Sequence, residues 1–88
     1  MLCQLYKSPR QAEMYLYVEL SIGLEHVPAP LLARFGEPEK LMILLLDETR
    51  KLARVDAAEV RRQIQVQGYF LQMPPTTAQL LAANNARN

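Results

Sequence analysis

Cys3 and His26 are the only residues of their kinds in a chain of 88 residues, so nucleophilic or general-base chemistry would rest on them. A thiol becomes a nucleophile when a nearby cation or helix N-terminus lowers its pKa. An imidazole works near neutral pH when a partner orients it. The sequence places no such partner beside either residue. Cys3 lies early in the apolar stretch "LCQLY", which suits a small, buried and inert side chain. His26 stands alone in "EHVPAP", which suits a surface loop. Asp47 and Glu48 are adjacent acids in an expected turn, where solvation accounts for them. A single cysteine excludes an internal disulfide and a multi-cysteine metal site. Gly23, Gly36 and Gly68 are too scattered to cradle a phosphate, and no His, Cys or acid pair has metal-ligand spacing. No catalytic residue, cofactor or metal site is therefore expected.

Binding chemistry is better represented. Tyr6, Tyr15, Tyr17 and Tyr69 all fall on expected strands, and Tyr15 and Tyr17 share one strand face. Aromatic rings on an open sheet can stack unpaired bases. Arg50, Lys51, Arg54, Arg61 and Arg62, set against Asp56 and Glu59, form a local basic surplus that could meet phosphates. Two observations oppose this. Ten Lys/Arg against nine Asp/Glu give a net charge of +1, a weak long-range attraction for nucleic acid. Tyrosines also favour strands for packing alone, with the hydroxyl at the rim of a core. The paired prolines after "QGYFLQM" suit the end of a strand; two prolines are too few for a recognisable groove ligand.

The elements that must carry these residues read as follows. "LCQLY" (2–6) and "EMYLYVE" (13–19) are strands joined by the turn-rich "KSPRQ" and paired as an antiparallel hairpin. In the second, Met14, Leu16 and Val18 oppose Tyr15, Tyr17 and Glu19. "VPAPLLARFG" predicts a short helix over 28–35, with prolines in its first turn and Gly36 at its stop. "LMILLL" (41–46) has the length of a strand and lacks polar alternation, so it is expected as an interior strand covered on both faces. "RKLARV" (50–55) is expected to return beside it. Asp56 and Glu59 form a capping-box-like start to a helix whose apolar stripe is Ala57, Val60 and Ile64, ended by Gly68. "YFLQM" is a last strand, and "TTAQLLAAN" a C-terminal helix capped by Thr76 or Thr77. The expectation is one α+β domain over 1–83 with a frayed tail over 84–88. Its sheet is largely antiparallel, with element order β-β-α-β-β-α-β-α. Strand order is not readable.

The longest apolar run, Leu41–Leu46, is far below the roughly 20 residues of a spanning helix. "MLCQLYKSPR" lacks the features of a secretory signal. A cytoplasmic location without membrane association is expected.

Taken together, "CQLYKSPR", "MYLYVE", "VPAPLLARFGEPEKLMILLLD", "RKLARVD" and "QGYFLQMPP" resemble the YcgL family, small proteins of gammaproteobacteria. The likeness runs from Cys3 to Leu81. It rests on the combination of "YLYVE", "FG-P", "LD--RKLA" and "QGY-LQ-PP". The resemblance implies a compact α/β domain. It brings no assigned biochemical activity and no catalytic residues. In some relatives the gene lies near that of ribonuclease D, which bears mildly on the RNA reading. The expected function is a non-catalytic accessory or interaction domain with an unidentified protein partner. The alternative is an RNA-binding accessory protein that uses Tyr15, Tyr17 and the five basic residues.

Overall fold

A computed structural model describes residues 1–47, 52, 55–78 and 81. Six elements build one compact α+β domain: β1 (Leu2–Lys7), β2 (Tyr15–Glu19), α1 (Ala29–Phe35), β3 (Glu39–Leu45), α2 (Ala57–Gln67) and β4 (Phe70–Gln72). The order is thus β-β-α-β-α-β. The strands form one antiparallel sheet in the spatial order β3-β1-β2-β4.

The hairpin is as the sequence requires, with Leu5 opposite Tyr17 and Cys3 opposite Glu19. Its loop is closed by the Ser8 amide donating to the Met14 carbonyl at 3.0 Å. The expected alternation along β2 also holds, and both of its faces are buried. Leu16 and Val18 enter one core with Tyr6, Met14, Val27 and Phe35, which α1 and the preceding turn cover. Tyr17 enters the opposite core with Cys3, Leu5, Leu44, Leu46 and the α2 residues Ala57, Val60 and Ile64.

Both helices start and stop where local chemistry dictates. The proline-bearing first turn of α1 follows Pro28 in an extended conformation, since a first-turn proline loses no helical hydrogen bond. At the start of α2, the Asp56 carboxylate accepts from the Ala58 amide at 3.0 Å, satisfying one of the free N-terminal donors. Glu59 does not complete a reciprocal box. Its carboxylate accepts from Arg62 and Gln63 one turn on. Gly68 ends the helix at φ +95°.

Three expectations require correction. The "LMILLL" strand is not interior among the described residues: there β3 pairs with β1 alone and forms an edge of the sheet. The α1-side core contains no β3 residue, so the face of β3 on that side is open. An apolar run has two physical explanations, cover on both faces or an unfilled contact surface, and periodicity does not separate them. Second, the strand expected over 50–55 is not among the six elements of the described residues. Leu52 and Val55 lie outside any strand and pack on the α2-side core; the rest of that stretch lies outside the described residues. Third, the hairpin's second strand starts at Tyr15, because Glu13 takes φ +61° and turns the chain ahead of it. Of the C-terminal helix, Thr77, Ala78 and Leu81 are helical. The remainder and the 84–88 tail lie outside the described residues.

Candidate functional site

Of the residues singled out for RNA binding, Tyr15 and Tyr17 pack against the α2-side core. Tyr17 is 4% exposed under α2. Its hydroxyl donates to Gln72 Oε1 at 3.0 Å, and its ring meets Phe70 edge-on with centroids 5.8 Å apart. Tyr15 is half-buried against the same core. Arg50, Lys51 and Arg54 lie outside the described residues. Arg62 is exposed on α2 and bonded to Glu59 at 2.6 Å. That pairing holds the Glu59 carboxyl down to about 2. Arg61 is partly buried on α2, and its Nε has no hydrogen-bond partner among the described residues.

No hydrogen bond joins Cys3 to His26, the two residues with nucleophile or base chemistry, among the described residues. Cys3 is wholly buried in the α2-side core, and burial pushes its thiol up to about 11. A thiol so placed is protonated and inert near neutral pH. His26 lies exposed in the turn before α1, its Cβ so close to Gly68 that a side chain at Gly68 would meet it at 2.5 Å. Among the described residues, no three His, Cys, Asp or Glu side chains are grouped to hold a metal. No helix among them is long and apolar enough to cross a membrane.

The surface that stands out lies on β3. Leu41, Met42, Ile43 and Leu45 are 46%, 43%, 56% and 49% exposed, and Leu2 beside them on β1 is 53% exposed. Cross-strand register puts Leu2 opposite Leu45 and Gln4 opposite Ile43. These four side chains therefore share the sheet face that α1 leaves uncovered. Gln4 forms the floor: its amide donates to the carbonyls of Leu5 and Met42 at 3.1 and 2.9 Å, bracing the bulge where the β1–β3 register shifts. At the end of the row a shallow groove of about 280 Å³ is lined by Leu2, Glu19, Leu20 and Ser21.

The outer backbone of the same residues has no partner among the described residues. Met1 and Leu46 exchange two hydrogen bonds, at 2.8 and 3.2 Å. In an antiparallel ladder, hydrogen-bonded and non-hydrogen-bonded pairs alternate. Cys3–Leu44 is therefore a bonded pair, while Leu2–Leu45 and Gln4–Ile43 are not. The Leu20 amide donates to the Leu2 carbonyl at 2.9 Å, which confirms that Leu2 turns its groups toward β2. Ile43 and Leu45 accordingly direct their N–H and C=O groups away from the sheet. Backbone edge and apolar side chains thus coincide at two residues.

Sequence reasoning missed this surface. The available signal was the pair Glu39-Lys40 at the head of the run. Charged residues within a strand are a common device of sheet edges, where they discourage unwanted pairing.

The YcgL domain family matches residues 3–75. A YcgL domain-containing protein of Chromohalobacter salexigens is 50% identical over 74 residues, 84% of this chain and 77% of that one. Relatives bearing the same description in Pseudomonas aeruginosa and Pseudomonas entomophila are 51% and 54% identical, each over 84% of this chain and 76% of theirs. The matched span runs from β1 through β4 and includes every strand of the sheet, and the chain belongs to the YcgL family.

Proposed function

We propose that this protein is a non-catalytic interaction domain of the cytoplasm that receives a protein partner along β3. The observation carrying the proposal is the coincidence at Ile43 and Leu45 of exposed apolar side chains with outward-facing backbone groups. Strand addition to a sheet edge uses both: main-chain bonds supply affinity, and alternate side chains supply selectivity. A buried thiol at Cys3 and an exposed histidine at position 26 support the non-catalytic part of the reading. The RNA-binding alternative has less support, since Tyr17 is packed under α2 and Arg62 is committed to Glu59.

The test is affinity capture from native cytoplasm with the wild-type chain and with Ile43→Lys, each with and without nuclease. The expected outcome is a set of captured proteins that survives nuclease and is lost in the variant. Capture that disappears with nuclease, together with oligonucleotide binding that weakens with salt, would favour RNA instead. Identical capture by Ile43→Lys would remove β3 as the contact surface.

A further inference from the structure

We draw no further inference here: the strongest candidate, the exposed apolar face of the sheet formed by Leu2, Ile43 and Leu45 on β1 and β3, belongs to the contact surface already proposed, and nothing in the structure shows what covers it.

Discussion

Ser8→Ala should be among the most damaging single-atom deletions in this fold. A hydroxyl has one donor and two acceptor positions, and Ser8 fills all three. It donates to the Phe35 carbonyl at 2.5 Å and accepts from the amides of Arg10 and Gln11 at 3.1 Å each. One oxygen thereby organises the β1–β2 loop and ties it to the C-terminal end of α1. In the variant the Phe35 carbonyl keeps no side-chain donor in a buried site, at about 1–3 kcal/mol. Arg10 and Gln11 are exposed, so their amides turn to water at a smaller cost. A total near 2–3 kcal/mol follows, a large share of the roughly 5–15 kcal/mol that stabilises a typical domain. At about 4–8 °C per kcal/mol for a domain of this size, the thermal midpoint should fall by roughly 10–20 °C. Urea unfolding followed by circular dichroism would measure the loss as a lower midpoint at unchanged slope. Ser21→Ala, at an exposed serine, serves as the comparison and should stay within about 0.5 kcal/mol. A Ser8→Ala effect no larger than that of Ser21→Ala would refute the idea that this hydroxyl holds the loop to the helix.

Gly36→Ala should strain the same junction, since Gly36 sits at φ +86° and a Cβ there would lie 2.9 Å from Arg10 Cγ and 3.0 Å from Pro9 Cγ. The expected loss is about 1–3 kcal/mol, and its sum with Ser8→Ala should be non-additive in a double-mutant cycle. The Glu59 carboxyl, held to about 2 from 4.5 by Arg62, is lower in the folded chain than in the unfolded one. Its contribution to stability is thus full above pH 4.5 and lost as pH falls toward 2; carboxyl NMR should show that low midpoint, and Arg62→Ala should return it toward the ordinary glutamate range. The Cys3 thiol is raised from 9.0 to about 11, chiefly by burial. Stability linked to it is therefore full below pH 9 and declines as pH rises through 11. An aromatic disulfide reagent at pH 8 should label Cys3 at a rate that tracks unfolding, and prompt labelling of the native chain would contradict its burial.

Local chemistry made much of this fold legible. The α2 stripe of Ala57, Val60 and Ile64 is buried as its spacing requires, Asp56 caps the helix and Gly68 ends it. The hairpin and the two-faced alternation of β2 were likewise written in residues close together in the chain. Strand order was not, because it depends on where α1 returns the chain, and no short-range pattern encodes that. The central strands also disguise themselves. β1 and β2 carry Gln4, Tyr6, Tyr15 and Tyr17, which count as half-polar in a pattern. Inside the fold, Gln4 is satisfied by backbone carbonyls and Tyr17 by Gln72. Amphipathic residues whose polar ends find partners can fill a central strand, while the purely apolar run went to the edge. Tyr17 packs under α2 for the same reason: a ring able to stack a base is equally able to pack under a helix.

The motifs by which the chain is most easily assigned to its family serve internal junctions. Ser8 of "KSPR" bonds to Phe35 of "FG-P", and Arg10 closes over Gly36. Tyr17 of "YLYVE" bonds to Gln72 of "QGY-LQ-PP". These residues are demanding because each must satisfy a buried polar group or a close backbone approach, and such demands specify a fold rather than a reaction. A contact surface asks less of its residues: apolar character, a free edge and a tolerable register. "LMILL" is apolar with ordinary side chains, so the segment that looks least distinctive is the one that the other described residues leave exposed. Mutagenesis aimed at the distinctive motifs will therefore report stability. Substitutions at Ile43 and Leu45, which leave those junctions untouched, test the contact surface proposed for β3.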